Sequence, residues 1–194
     1  MKTFRLSIIV LLFLFSYNSF SQEIISENNC QNGDVIFIKN PQLPNTQSAD
    51  RNKFNCGGII FIEKGSPMVY FASEPLKKCS FSEFIKISDG KKFTIKRLEE
   101  SSLLTEEAVN TMHIFAAAKL DTPYDYKEEL FSDALYNAEF IWKIYKTCLG
   151  IYISEAKDYT ASGDSKKNYS HTAANSLSGK FVSIHDIYRS ALFE

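Results

Sequence analysis

The first half of the chain alternates short apolar runs with turn-forming residues, a pattern typical of β-strands. Residues 33–39 begin with glycine and continue with β-branched and aromatic side chains, and residues 57–63 and 68–72 repeat this pattern. The last two runs flank Lys-Gly-Ser-Pro, a turn-forming sequence, so they are predicted to pair as an antiparallel hairpin. Residues 92–98 alternate apolar and polar positions with a period of two, which predicts a half-buried strand.

The hydrophobic spacing changes to a helical period after Leu104. Apolar residues recur at three- and four-residue intervals as far as Leu120, and Asp-Thr-Pro then ends the segment. Thr105 is expected to cap this helix, because two glutamates follow it in the first turn, where the helix dipole favours acids. A second helix is predicted from about Asn137 to Leu149, with one apolar stripe and a glycine at its C-terminal end.

A polar stretch separates these elements from the C-terminus. Residues 154–180 are rich in Ser, Lys, Asn and Gly, and a loop of this length is either a functional cover or a mobile segment. Structure is expected to resume at residues 181–184, and residues 185–192 are expected to form a short closing helix. Strands followed by helices predict an α+β fold with one antiparallel sheet.

The N-terminus has the layout of a secretory signal peptide. Lys2 and Arg5 precede an apolar run over residues 6–15, and small polar residues follow. The run is shorter than the roughly 20 residues that a membrane-spanning helix needs, although a membrane anchor is the alternative interpretation. We expect cleavage after Ser21, which leaves residues 22–194 as one domain, exported to the periplasm or beyond and without an integral membrane segment.

Composition limits the partners and the redox chemistry of the mature chain. Loss of the signal peptide leaves 20 basic and 23 acidic residues, a formal charge of −3, which argues against a nucleic-acid partner. No His/Cys pair has the spacing of zinc ligands, and neither a metal nor a cofactor is expected. In an oxidising compartment four cysteines permit three complete disulfide pairings, although Cys148 also fits the core of the second helix. The four are Cys30, Cys56, Cys79 and Cys148.

Several short motifs occur along the chain, and their joint order is a more specific signal of a protein family than any one motif. They are Gly-Asp-Val-Ile-Phe at 33–37, Leu-Thr-Glu-Glu at 104–107, Asp-Thr-Pro-Tyr-Asp-Tyr at 121–126, Tyr-Asn-Ala-Glu-Phe-Ile-Trp at 136–142 and Ser-Ile-His-Asp-Ile at 183–187. Together they resemble the circularly permuted papain-like amidases of the NlpC superfamily, the YiiX/YaeF type. The resemblance implies a permuted papain-like fold, in which an antiparallel sheet or small barrel packs against helices.

The positions that correspond to the family's catalytic residues carry other side chains. Asn137 stands where the family has its cysteine, and Cys56, in Asn-Cys-Gly-Gly-Ile, stands where it has its histidine. Phe71 takes the third position, often a glutamate in the family. A cysteine hydrolase needs a thiolate, an imidazole that transfers the proton and a group that orients the imidazole. The resemblance therefore implies a family member with a degenerate catalytic centre, a pseudoenzyme.

Two other interpretations of these residues stay open. Asn is among the best N-cap residues, so Asn137 is also expected to cap the helix that follows it. In an active enzyme, Cys56 would be a relocated nucleophile, with His185 as the best-placed imidazole and Asn137 as an oxyanion ligand. The other histidines are His113, within the first helix, and His171, in the polar loop.

The predicted function is non-catalytic binding in the former active-site cleft of a secreted protein. By resemblance, the ligand is an amide-containing molecule such as a cell-wall peptide, a lipid-linked molecule or an envelope protein. A third interpretation is a structural interaction domain whose cleft is filled by Phe71. For the tyrosines of the 121–126 motif, aromatic packing is the structural alternative to ligand contact. The residues expected to line the cleft are Cys56, Tyr124, Tyr126, Tyr136, Asn137 and Glu139.

Overall fold

The computed structural model describes residues 25–43, 54–130, 132–158 and 179–194. The predicted signal peptide and His171 lie outside these ranges. Over the ranges that are described, no helix is both long enough and apolar enough to cross a membrane.

A five-stranded antiparallel sheet forms the centre of the fold. Its strands β1 to β5 lie in the order β4-β3-β2-β1-β5, and each is antiparallel to its neighbours. The predicted α+β architecture with one antiparallel sheet is confirmed. The strand bounds are Val35–Ile38, Cys56–Glu63, Ser66–Phe71, Lys77–Ser80 and Phe93–Lys96.

The hairpin between β2 and β3 turns more tightly than predicted. Lys64 and Gly65 have φ values of 51° and 79°, and two left-handed residues in sequence are the requirement of a two-residue hairpin turn. Because these two residues reverse the chain, Ser66 pairs directly with Glu63. The partner strand therefore begins two residues before the predicted start at Met68.

Four helices surround the sheet, and the two long ones match the predictions. They are α1 (Phe81–Lys86), α2 (Glu106–Ala118), α3 (Asn137–Leu149) and α4 (Ile184–Arg189). The hydroxyl of Thr105 accepts a hydrogen bond from the amide of Ala108 at 3.2 Å, which confirms its role as the cap of α2. Two short 3-10 helices, Asp89–Lys91 and Ser101–Leu103, complete the helical elements of the described chain.

Strand β4, helix α1 and a small two-stranded ribbon were not predicted from the sequence. Strand β4 runs directly into α1, whose start carries a capping box in which Ser80 and Glu83 bond each other's backbone amides. The polar stretch over 154–180 is also not entirely loop. Its ends pair as a small antiparallel ribbon between β6 (Lys157–Asp158) and β7 (Lys180–Phe181).

The core consists of two apolar clusters, one on each face of the sheet. Side chains along a strand alternate between the faces, so Phe37 and Ile59 join α2 and α3 in the larger cluster. Ile36 and Ile60 point the other way and join α1 in the smaller cluster, which also includes Cys56. Eight of the thirteen residues of α3 are buried, which fixes the position of its N-terminus against the sheet.

A buried ion pair holds the turn before β1. The Arg97 guanidinium donates to both carboxylate oxygens of Asp34, at 2.9 and 2.8 Å, and the Gln31 amide donates at 2.7 Å. Burial raises the pKa of Asp34, and its hydrogen bonds with Arg97 and Gln31 offset this only in part. The buried hydroxyl of Tyr145 donates to the carbonyl of Gly33, so α3 is tied to the same turn.

A polar cluster joins the β2–β3 hairpin to α2. Glu63 accepts hydrogen bonds from the Tyr70 hydroxyl at 2.6 Å and the Lys78 ammonium at 2.8 Å, and lies 3.1 Å from His113 Nε2. Burial disfavours the ionised carboxylate, but these three partners, led by Lys78, outweigh burial and lower the pKa of Glu63 to about 2.

We therefore expect the free energy of unfolding to fall as the pH drops from 4.5 towards about 2. Over this range the unfolded chain binds a proton at Glu63 more readily than the folded chain does. The Glu63→Gln variant should lack this component and be less stable at neutral pH. Urea unfolding at a series of pH values measures both effects, with Glu100→Gln as the exposed control. Equal acid sensitivity in Glu63→Gln and the wild type would contradict the prediction.

Candidate functional site

The first residue of α3, Asn137, meets the first residue of β2, Cys56, inside the protein. The Cys56 sulfur lies 3.5 Å from a terminal atom of the Asn137 amide. The same atom lies 3.0 Å from the carbonyl oxygens of Gly57 and Ala72. Because carbonyl oxygens only accept hydrogen bonds, this atom is the nitrogen Nδ2, which donates to both. The two residues are 3% and 1% exposed, so their contact is shielded from solvent.

The predicted capping role of Asn137 is wrong. The N-cap residue of α3 is Tyr136, which makes no side-chain capping bond. A capping side chain accepts from backbone amides of its own helix, whereas the Asn137 nitrogen donates to carbonyls of the sheet region. Asn137 therefore joins the helix to the sheet.

Two glycines allow this close approach. A Cβ atom on Gly57 would lie 2.9 and 3.0 Å from methyl groups of Ile184 and Ile141. A Cβ atom on Gly58 would lie 2.8 Å from the carbonyl oxygen of Tyr70 in β3. The Gly-Gly pair after Cys56 therefore lets α3, α4 and β3 pack directly against β2.

Cys56 has the chemistry of a buried thiol rather than of an activated nucleophile. Burial raises its pKa to about 12, and the nearby Cys79 adds to the rise. A thiol with such a pKa is ionised in about one molecule in 100,000 at pH 7. Over the described ranges, no hydrogen bond joins Cys56 to an imidazole, so neither His113 nor His185 is bonded to it as a base.

The two described histidines have partners elsewhere. His113 Nε2 lies 3.0 Å from the Tyr70 hydroxyl and 3.1 Å from Glu63. Glu63 is the last residue of β2, about 23 Å along the strand from Cys56 by the usual rise per residue. His185 lies in α4, with its Nε2 3.3 Å from the guanidinium of Arg189.

Phe71, predicted to stand at the family's third catalytic position, contributes only apolar surface. The side chain is 2% exposed and packs edge-on against Phe84 of α1, with ring centroids 4.8 Å apart. It belongs to the same apolar cluster as Cys56. No group at this position can orient an imidazole or hold a charge.

Tyr124 is buried close to Asn137 and Cys56, both of which influence its hydroxyl. Burial raises the pKa of Tyr124, and the neighbouring Glu128 and Cys56 add to the rise. The ring of Tyr126 lies 5.0 Å from that of Tyr124, and its hydroxyl donates to the carboxylate of Glu74.

The remaining two residues predicted for the cleft are buried. The Tyr136 hydroxyl accepts a hydrogen bond from the amide of Val182 at 2.9 Å. Glu139 is fully buried and forms an ion pair with Lys143 at 2.8 Å. Of the six residues predicted to line the cleft, only Tyr126 is exposed, at 59%. The other five are largely shielded from solvent in this structure, and ligand contact by all six stays a prediction.

All four cysteines are free thiols in this structure. Cys148 is partly buried against the larger apolar cluster, in agreement with its interpretation as a small core residue. In the part of the chain that is described, no group of three or more His, Cys, Asp or Glu residues converges as metal ligands would.

The partners of Asn137 were not found from the sequence. Its two acceptors are main-chain carbonyls, and every residue carries one, so no residue type marks them. The glycines at 57 and 58 were a usable signal, because they show where other chain segments approach a strand closely.

Comparison with known proteins identifies the family of the chain. A family model described as "Permuted papain-like amidase enzyme, YaeF/YiiX, C92 family" matches residues 29–183. The chain belongs to the C92 family. The suspected resemblance to permuted papain-like amidases is thereby confirmed.

Two Escherichia coli proteins illustrate the C92 relationship. "Uncharacterized protein YiiX" of strain K12 is 28% identical over 127 residues, which are 64% of this chain and 62% of the relative. The match thus spans less than two thirds of that protein. The "crystal structure of metalloprotein yiiX" from strain O157:H7 superposes with a TM-score of 0.74 at 22% identity, over 84% of this chain and 94% of the other. This similarity shows the shared fold.

Proposed function

We propose that this C92-family protein is exported and binds a ligand or partner at the former active site, without hydrolysing amides there. The observation that carries the proposal is the buried contact between Asn137 and Cys56, the residues that the sequence resemblance predicts to stand where the family keeps its thiol and its imidazole. An amide supplies no thiolate, and a thiol with a pKa of about 12 supplies no general base near neutral pH.

The hydrogen bonds of Asn137 also argue against a relocated nucleophile. An oxyanion needs donors that point towards the place where charge develops. The Asn137 nitrogen already donates to the carbonyls of Gly57 and Ala72. Among the described residues, no imidazole is bonded to Cys56, and the Asn137 nitrogen is not free to donate to an oxyanion.

The orientation of the Asn137 amide suits an amide-containing ligand. Its nitrogen donates to two carbonyls, so its oxygen is the atom that would accept an N–H of a cell-wall peptide or an acylated lipid carrier. The exposed ring of Tyr126 adds an aromatic surface beside this point.

A structural interaction domain is the second candidate function. The burial of Asn137, Cys56 and Phe71 favours it, since each is at most 3% exposed. In this case the partner contacts the outer surface of the protein and no ligand reaches Asn137.

The absence of turnover is tested with purified protein and a panel of peptide amides, muropeptide fragments and N-acyl lipids. We expect no product above the uncatalysed background and no acyl adduct on the intact protein by mass spectrometry. The Cys56→Ser variant is the control and should behave identically. Turnover by the wild type that is lost in Cys56→Ser would overturn the proposal.

Native mass spectrometry distinguishes the two candidate functions. A ligand-binding protein purified from a bacterial host should carry an additional mass that is released on denaturation, with lower occupancy in Asn137→Ala. A filled interaction domain should show the bare polypeptide mass, even after incubation with the substrate panel.

A further inference from the structure

A cluster of polar side chains lies at the opposite end of β2 from Cys56. The Tyr70 hydroxyl is 2.6 Å from Glu63 Oε1 and 3.0 Å from His113 Nε2, and these two atoms are 3.1 Å apart. Glu63 and Tyr70 belong to the paired strands β2 and β3, whereas His113 belongs to α2. Three elements thus bring two oxygens and one nitrogen to a single point, and no motif spacing in the sequence marks them.

Hydrogen bonding leaves one of these three contacts without a proton of its own. The Tyr70 hydroxyl carries one proton, which it donates to Glu63. The imidazole of His113 carries at most one proton on Nε2, and an ionised carboxylate carries none. Two protons are therefore shared among three short contacts. A cation between the three atoms would interact favourably with all of them.

The separations suit the ligands of one metal ion. Adjacent ligand atoms on an octahedral ion with bonds of about 2.1 Å lie about 3.0 Å apart, and those on a tetrahedral zinc ion about 3.3 Å apart. The three observed separations, from 2.6 to 3.1 Å, are close to the octahedral value. Since Nε2 of His113 contacts both oxygens, it is directed towards the space between them.

The donor atoms have the chemistry of a transition-metal site. Imidazole nitrogen and carboxylate oxygen are common ligands of zinc and its neighbours in the first transition row. Because the pKa of Glu63 is lowered to about 2, no proton has to leave this carboxylate near neutral pH. Lys78 bonds its other oxygen, Oε2, at 2.8 Å, so Oε1 remains as the ligand atom. A hydrogen bond to a metal-bound carboxylate is usual in such sites.

The cluster is held in place and is also open to solvent. The Phe61 ring packs against the His113 ring with centroids 4.9 Å apart, and the Tyr70 ring meets it edge-on at 5.6 Å. The side chains of His113 and Glu63 are nevertheless 37% and 23% exposed. A metal ion can therefore reach the three atoms without a rearrangement of the fold.

We propose that Glu63 Oε1, His113 Nε2 and the Tyr70 hydroxyl bind a divalent first-row transition metal ion, with water completing its coordination. Glu63 and His113 are the principal ligands, and the imidazole binds in the tautomer that carries its proton on Nδ1. The ammonium of Lys78 opposes a second cation, so the affinity is modest. The bound ion fastens α2 to the β2–β3 hairpin. This site is separate from Asn137 and Cys56 and goes beyond the proposed function.

Zinc binding by the purified protein tests the site. Equilibrium dialysis over a range of free Zn²⁺ concentrations, with elemental mass spectrometry, measures the ions bound per chain. We expect the wild type to bind one Zn²⁺ more than His113→Gln, which lacks the nitrogen ligand. Glu63→Gln, which lacks the charged ligand, should bind as little as His113→Gln. Tyr70→Phe keeps the ring and should bind about tenfold more weakly, because its hydroxyl also orients Glu63.

His185→Gln is the matched control, because it removes the other described imidazole, whose partner is Arg189. It should bind as much Zn²⁺ as the wild type. Circular dichroism shows whether each variant is folded. If Glu63→Gln does not fold, the comparison of His113→Gln with the wild type decides alone, since His113 is partly exposed.

Equal Zn²⁺ binding by the wild type, His113→Gln and Glu63→Gln would overturn the proposal. This result includes a protein that binds no zinc and one that binds it elsewhere, for example at the partly buried thiol of Cys79. Because none of these variants touches Asn137, failure of the metal site and failure of ligand binding at the former active site are separate outcomes.

Discussion

The Asp34→Ala variant should be less stable than the wild type by about 3–5 kcal/mol, the usual effect of removing one partner of a buried ion pair. Asp34 is fully buried, and its loss leaves the Arg97 guanidinium, only 17% exposed, without its two charge-assisted hydrogen bonds. The Gln31 amide also loses its acceptor. Urea unfolding followed by circular dichroism measures the difference.

The double variant Asp34→Ala/Arg97→Met is the informative control. Burial raises the pKa of Asp34 despite its partners, because desolvation of the charged carboxylate is unfavourable. Removing both charges should therefore recover part of the stability that the single variant loses. If the double variant is instead further destabilised, as expected of two independent deletions, the ion pair does not explain the lower stability of Asp34→Ala.

The second large effect is expected from Phe140→Ala, at about 3–5 kcal/mol of lost stability. Phe140 is fully buried in the larger apolar cluster, one helical turn after Asn137. Truncation leaves a cavity between α3 and the sheet, and the helix that carries Asn137 is anchored mainly by this apolar face. Chemical denaturation gives the free energy of unfolding of the variant and the wild type.

Thr147→Ala on the same helix is the matched control, because this residue is exposed. Its substitution should change the stability by less than about 0.5 kcal/mol. A loss in Phe140→Ala no larger than that in Thr147→Ala would mean that α3 does not depend on its buried face.

The sequence predicted the elements whose patterns are local. The apolar stripe and the terminal glycine give α3 its observed bounds, and Gly150 has the expected left-handed φ of 71°. The order of the short motifs predicted the family and, with it, the fold. The short α1 was missed although the Ser80 and Glu83 capping signal was present, because six residues carry too little hydrophobic periodicity.

Only the residue types of the candidate site could be predicted. The sequence predicts an amide and a thiol at the catalytic positions of the family. It does not predict that Asn137 donates to carbonyls about 65 and 80 residues away in the chain. The high pKa of Cys56 depends on burial by segments that are distant in sequence. The burial of Tyr124 beside these two side chains likewise results from tertiary packing.

The two hydrogen bonds of Asn137 bear on what a cysteine at this position would do to the fold. The Asn137 nitrogen donates to two carbonyls at once, whereas a cysteine in its place has one weak donor. Asn137→Cys would therefore remove at least one hydrogen bond to a carbonyl of the sheet region. A thiol introduced here is expected to lower the stability of the fold, whatever chemistry it brings.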